Sequence, residues 1–480
     1  MPERRAPVLS EAKADQGARM SEISARKRIW GWWFFDWASQ PYHTLLVTFI
    51  FGPFFATVAT KYFLGAGLDE QAAKASAQSL WAWNMGLAGL IIGFGAPIMG
   101  ALADTRGRRI PWIMGFSVMY VIGAAGLWFI ALDGSNLYWM LGLFTLGFVG
   151  AEYALIFINS QLPELGTEDE VGEISGSGFA FGYFGGLLAL IIVLVVFAEM
   201  GGGKTIAGLA PGLGLLDSDQ MEGTRATGPL TALWYAVFMI PYFRWVHEPL
   251  VNKARGTVSQ AMGALKASIA NLKHRQSLLY FLISSMLYRD ALNGLYAFGG
   301  IYANLVLGWS VPQIGIFGIV GATSAVFFSW IGGKLDKRFG PKPVIIAAIW
   351  VLIAVAVIII NMSREAFFGM PLPEGSSLPD NVLMFAGAMF GGMGGILQAA
   401  SRTLMVRHTD PASPTESFGL YGLSGRATAF VAPILIGVAT TLSGSARLGV
   451  SPVILLFVLG LVLLRWVNAK GDSETWEGAS

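Results

Sequence analysis

The sequence predicts an all-α integral membrane protein: twelve membrane-spanning helices in two six-helix pseudo-repeats, with both termini cytoplasmic. Three observations carry this. Hydrophobic residues make up 54% of the 480 residues and charged residues 13%, about half the charged share of a soluble chain. Twelve segments stay apolar for about the 20 residues that a helix needs to cross hydrocarbon. Three local patterns from the first half recur in the same order in the second.

Composition narrows the function classes. With no Cys there are no disulfides, iron–sulfur clusters or thiolate metal sites. A formal charge of +2 argues against a nucleic-acid partner. Nothing in the sequence calls for a cofactor. The four His (His43, His247, His274, His408) are scattered without metal-ligand spacing, and no Gly-Lys-Ser/Thr phosphate loop is present. The expectation is a transporter rather than an enzyme.

The elements follow in order. A polar arm, 1–29, ends in Arg26-Lys27-Arg28. The apolar run after it is far longer than a signal-peptide core. The predicted spans are 31–60, 80–103, 111–132, 137–161, 175–199 and 229–247, then 277–304, 312–333, 343–361, 381–407, 416–441 and 450–468. These give an N-terminal half over 30–247 and a C-terminal half over 277–468, with a tail over 469–480. The linker 248–276 has Val258, Met262, Leu265, Ile269 and Leu272 at helical spacing. It reads as an amphipathic helix on the inner surface. The Gly-rich stretch 200–228 reads as a mobile outer loop. With the arm inside, 23 Lys and Arg fall on that side and six on the other, with Arg244, Arg289 and Arg426 at or inside spans. Positive charge marks the cytoplasmic face, so the chain reads as multi-pass in the cytoplasmic (inner) membrane.

The recurring patterns are specific in position. Asp36-x5-Tyr42 matches Asp290-x5-Tyr296. Gly100-x3-Asp104-x-Arg106 matches Gly332-x3-Asp336-x-Arg338. Glu173-x2-Gly176-x5-Gly182 matches Glu416-x2-Gly419-x5-Gly425. Parallel repeats place a shared cavity near the bilayer midplane, an arrangement suited to alternating access.

Gly100-Ala101-Leu102-Ala103-Asp104-Thr105-Arg106-Gly107-Arg108-Arg109 resembles the loop signature of the major facilitator superfamily. Phe35-Asp36-Trp37-Ala38-Ser39, Leu162-Pro163-Glu164-Leu165 and Ile174-Ser175-Gly176 through Gly182-Tyr183-Phe184-Gly185-Gly186 resemble one branch of it. That branch holds fungal vacuolar amino-acid effluxers linked to autophagy, and bacterial relatives. The resemblance implies the major facilitator fold and a gating role for Gly100, Asp104, Arg106, Arg108 and Arg109, with Asp336 and Arg338 as the second copy. Independently of the resemblance, Gly100 permits close helix approach and Asp104 can face a helix N-terminus. The three Arg can meet anionic lipid heads or the acidic loop 163–173.

Ionisable side chains at bilayer depth cost roughly 3 kcal/mol or more and must face a cavity or a partner. Asp36, Glu152, Arg289, Asp290 and Arg426 are the candidates for substrate or proton binding, joined by Tyr42, which is read either as a cavity wall or, since aromatic residues abound, as packing. Asp36 is read two ways, as a cavity acid or as a structural acid paired with a neighbouring helix. Arg402 and Arg244 lie nearer span ends and are read as snorkelling. Arg426 sits beside Gly422, Ser424 and Gly425, a narrow face along which a long cation can reach the centre. The partners expected are a small polar solute, protons and membrane lipid, with the chain monomeric. A polytopic membrane enzyme and a non-transporting solute receptor are the alternatives.

Overall fold

The computed structural model describes residues 24–199, 202–248, 258–309, 311–411, 413–426, 431–443 and 445–472. Most of the polar arm and the end of the tail therefore lie outside the described residues. The described residues are almost wholly helical. Among the described residues nine helices are long and apolar enough to cross a membrane. Helical segments also stand at the other three predicted positions, 229–247, 277–304 and 416–441.

The first rod is composite. Helix α1 (Ala25–Pro41) passes into a π-helical stretch, Tyr42–Phe49, and then into α2 (Phe51–Gly65). Pro41 has no N–H to donate, and the widened turns take up the break. Then come α3 (Glu70–Arg106), α4 (Ile110–Gly126), α5 (Leu137–Asn159) and α6 (Glu168–Ile192). The last of these runs on as a π-turn, Val193–Phe197. Helices α7 (Thr227–Phe238) and α8 (Ile240–Trp245) complete the N-terminal set. The linker carries α9 (Val258–Asn271), which packs against α3.

The C-terminal set is α10 (Gln276–Leu307), α11 (Val311–Phe339), α12 (Pro341–Ile360), α13 (Leu378–Arg407), α14 (Pro414–Arg426), α15 (Val431–Ser443) and α16 (Pro452–Leu464). The two sets meet where α3 packs on α14 and where α6 packs on α11 and α13. Gly391 lies directly on the Gly321 backbone, so the glycine-rich run of α13 is helix packing.

The outer loop differs from its expectation. Residues 202–226 are built into turns, with a 3-10 turn at Pro211–Gly214. The Glu199 carboxylate accepts from the N–H groups of Gly223 and Thr224 at 2.7 Å each, and Arg225 Nε donates to the Trp128 carbonyl at 3.0 Å. Glycine content predicted mobility; a carboxylate satisfying the N–H groups of a short helical turn gives the loop a fixed shape instead.

Candidate functional site

Two layers of polar groups cross the contact between the first rod and α5. The rod and α5 run antiparallel, and each contributes a pair seven residues apart, Asp36 with His43 and Glu152 with Asn159. Seven residues make two turns, so each pair shares a face and its members lie about 10 Å apart in height.

The lower layer is a dry ion pair. Arg402, from α13, is 2% exposed and Asp36 8%. Arg402 Nη1 donates to Asp36 Oδ2 at 3.3 Å and to Asn159 Oδ1 at 3.1 Å. Its Nε and Nη2 donate to Ser175 Oγ at 2.9 Å and the Ser175 carbonyl at 2.7 Å. The rings of Trp32 and Phe179 flank the guanidinium at 4.5 and 4.2 Å. A buried charge is costly unless paired and hydrogen-bonded. Here α1, α5 and α6 supply the partners of an α13 cation, so the pair links the two sets. Snorkelling is thus the wrong reading of Arg402: packed helices surround it, and its charge is met by Asp36 in place of solvent. Asp36 takes the paired role of its two readings.

The upper layer is wetter. His43 Nε2 lies 3.6 Å from Glu152 Oε1, with the His43 side chain 35% exposed and that of Glu152 9%. The ring stands edge-on to Phe148 at 5.8 Å. A further polar contact, this one across the sets, is Gln398 Nε2 donating to the Tyr183 hydroxyl at 3.0 Å. Sequence reasoning passed over His43 as a lone histidine. Its seven-residue spacing from Asp36 was the available signal.

Tyr42 is corrected. It is fully enclosed, donates to the Phe144 carbonyl at 2.7 Å and packs among Tyr120, Phe144 and Phe148. It belongs to the interior of the N-terminal set and lines no cavity. Arg289 and Asp290 take different neighbours, as adjacent helix residues must. The Arg289 guanidinium covers the Tyr421 ring at 4.6 Å and lies over Gly425, where a Cβ would stand 2.5 Å from its Cζ. The small-residue face predicted to admit Arg426 is therefore occupied by Arg289. The Arg426 side chain itself lies outside the described residues. Asp290 Oδ2 accepts from the Ala432 N–H at 2.8 Å, at the start of α15, and Oδ1 meets no donor among the described residues.

The linker end of the bundle holds the loop motif. Asp104 accepts from the N–H groups of Thr415 and Glu416 at 3.3 and 2.8 Å, on the first turn of α14. Helix N-termini carry unsatisfied N–H groups and partial positive charge, so this is a cap supplied by another helix. Gly100 makes it possible: a Cβ there would meet the Thr415 carbonyl at 2.6 Å. Arg109 Nε donates to Glu248 Oε1 at 2.8 Å, Nη1 to the Ser160 carbonyl at 2.9 Å, and Nη2 pairs with Glu164. Burial works against the Arg109 charge, but the Glu164 and Glu248 carboxylates outweigh it and hold its pKa above the usual value. Glu248, the first residue assigned to the linker, thus belongs to this cluster. Arg106 lies over the Trp112 ring at 5.4 Å, and both Arg106 and Arg108 are exposed.

The second copy is built differently. Asp336 is buried against Gly172 of α6, and neither carboxylate oxygen meets a donor among the described residues. The neighbouring Thr403 hydroxyl donates to the Ala399 carbonyl. Exposed Arg338 lies over the Phe339 ring, and Lys337 is the residue that crosses, pairing with Glu173 at 2.8 Å.

Fold and site define a polytopic helix bundle with a polar cluster between its two sets at the linker end. Solved structures similar to it share the major facilitator fold. The transporter FucP in its outward conformation has a TM-score of 0.65 at 14% identity, covering 92% of this chain and 98% of that one. The proton:xylose symporter XylE has a TM-score of 0.66 at 12% identity, covering 94% and 99%. The chain matches the family model described as vacuole effluxer Atg22 like over residues 24–475, and it belongs to that family of major facilitator transporters. An uncharacterized MFS-type transporter, YxiO of Bacillus subtilis, is 25% identical over 447 residues, 92% of this chain and 95% of that protein. Autophagy-related protein 22 of Cryptococcus neoformans is 24% identical over 318 residues, 64% of this chain and 54% of that protein. The chain therefore matches only about half the length of the fungal relative. It is a multi-pass membrane protein of a transporter family, not an enzyme.

Proposed function

We propose that this chain is a secondary active transporter that moves a small zwitterionic solute, such as an amino acid, by alternating access coupled to protons. Two six-helix halves, 30–247 and 277–468, rock about a central cavity, joined by 248–276. In this reading twelve spans cross the cytoplasmic membrane, and the Lys and Arg distribution supports placing both termini on the cytoplasmic side. The linker end is then the cytoplasmic gate. It is shut here by the Asp104 cap and the Asp36–Arg402 pair.

The observation that carries this reading is the stacking of a partly exposed His43–Glu152 pair above that dry pair. An acid and a base reached from the opposite end, over a closed gate, suit proton loading in an outward-facing state. Glu152 faces the solute's ammonium group or holds the proton. Arg289 and Asp290 contribute from the C-terminal half. Anionic headgroups meet Arg106 and Arg108, and the working unit is a monomer.

Counterflow of labelled amino acids in proteoliposomes tests this. Glu152→Gln is expected to abolish accumulation driven by a pH gradient while keeping exchange without a gradient. If no amino acid exchanges, the substrate class falls. If accumulation in the variant matches wild type, the coupling falls.

A further inference from the structure

A dry crevice opens on the outer flank of the N-terminal set, apart from the site above. It lies between the first rod, α6 and α7, with a volume of about 200 Å³, and Pro41, Leu45, Val193, Leu230, Trp234 and Phe238 are among its walls. Its origin is the helix irregularity already described. The first rod turns π-helical after Pro41, and α6 does so at Val193. Two widened helices side by side do not interlock ridge into groove, and the gap persists. Leu45, Ala189 and Val193 accordingly belong to a small apolar cluster separate from the main core.

The chemistry of the walls limits the occupant. Two polar side chains reach the crevice, and both are already satisfied. Trp234 Nε1 donates to the Trp37 carbonyl at 3.1 Å, and the Thr231 hydroxyl to the Thr227 carbonyl at 2.7 Å. A cavity without two or more free polar partners does not hold water well, and dry apolar cavities take apolar guests. The mouth is formed by Ile192, Leu233 and Val237, all exposed apolar residues. It lies midway along the first rod, at the depth where a bilayer presents hydrocarbon. Packing interiors are close to crystalline density, so an empty space of this size is filled if a suitable chain is at hand.

The geometry points to a binding site for one acyl chain of a membrane phospholipid, wedged between the first rod, α6 and α7. The site is continuous with the lipid-facing surface, and no soluble ligand is needed to explain it. The two rods it separates also carry Asp36 and Ser175, the partners of Arg402, so a seated chain braces the helices behind the gate.

The test uses the full chain in phosphatidylethanolamine vesicles containing a phospholipid with a diazirine in mid-chain. After illumination, peptides bearing Leu45, Val193 or Leu230 are expected to carry lipid adducts at least fivefold above those bearing Trp350 or Phe385, which are exposed apolar residues elsewhere. Ala189→Phe fills the space and is expected to remove the excess while leaving the Trp350 adduct. Should that variant misfold, the milder Leu230→Phe serves, with a monodisperse elution profile as the check. Equal labelling at all these positions overturns the proposal, as does an excess that survives filling.

Discussion

The α3–α14 and α11–α6 junctions carry the same sequence motif and solve it with different chemistry. At α3–α14, Asp104 caps the N–H groups of Thr415 and Glu416, because α14 starts only at Pro414. At α11–α6, the matching helix starts at Glu168, five residues before Glu173. That added turn caps itself: the Thr167 N–H donates to Glu170 Oε2 at 2.9 Å, and the Thr167 carbonyl accepts from Glu170 and Val171. By Gly172 the helix spends its N–H groups on its own carbonyls. Asp336 is left against the side of a finished helix. One turn of chain thus moves the cap from another helix into α6 itself, and leaves the second acid without a donor among the described residues.

The largest effect is expected from the pair that stands behind both junctions. Removing one partner of a buried ion pair costs about 3–5 kcal/mol, more than a hundredfold in the closed population at about 1.4 kcal/mol per decade. Since the chain has no native Cys, thiol labelling of a Thr403→Cys background reads this directly. Arg402→Ala is expected to raise its labelling rate by at least a hundredfold, and the double change Asp36→Asn, Arg402→Gln by much less. Equal rates in both would show that the pair is not what holds the ends together.

The comparison itself is tested by Asp104→Asn against Asp336→Asn. Loss of a charged cap costs about 1–3 kcal/mol, so the first change is expected to lower the thermal midpoint of the purified protein clearly. Asp336→Asn replaces a buried acid whose carboxylate oxygens meet no donor among the described residues, and is expected to be neutral or stabilising. If the two midpoints fall equally, the self-capping account of α6 is wrong.

A smaller effect concerns the turn that presents α14. His408 closes α13, and burial holds its pKa below the ordinary 6.5. Its Nδ1 faces the Leu404 carbonyl at 2.9 Å and its Nε2 the Ser277 hydroxyl at 2.7 Å, while Ser277 also accepts from the Asn468 N–H. The folded state prefers the neutral ring. Its contribution is therefore complete above the unfolded value and is lost as pH falls below it. The midpoint is expected to drop between pH 7 and 5, and to drop less in His408→Gln. An identical pH slope in both proteins would exclude His408 as the cause.

The residues also separate what was readable from what was not. Asp104 facing a helix N-terminus and a helix over Val258–Asn271 were legible, because motif spacing and periodicity are short-range. Arg402 was not, since its distance from a span end says nothing about which helices surround that end. Asp36-x5-Tyr42 recurs at Asp290-x5-Tyr296, yet the copies diverge in burial: Tyr42 is enclosed and Tyr296 is 45% exposed.

Hydropathy by itself determined that this chain is a bundle of membrane helices. In hydrocarbon each helix must satisfy its own backbone, so the information is local. The tertiary structure alone decided which charges meet. Asp36 and Arg402 stand 366 residues apart in sequence and 3.3 Å apart in space. The cost of a buried charge depends on every neighbour around it, and those of Arg402 come from three other helices.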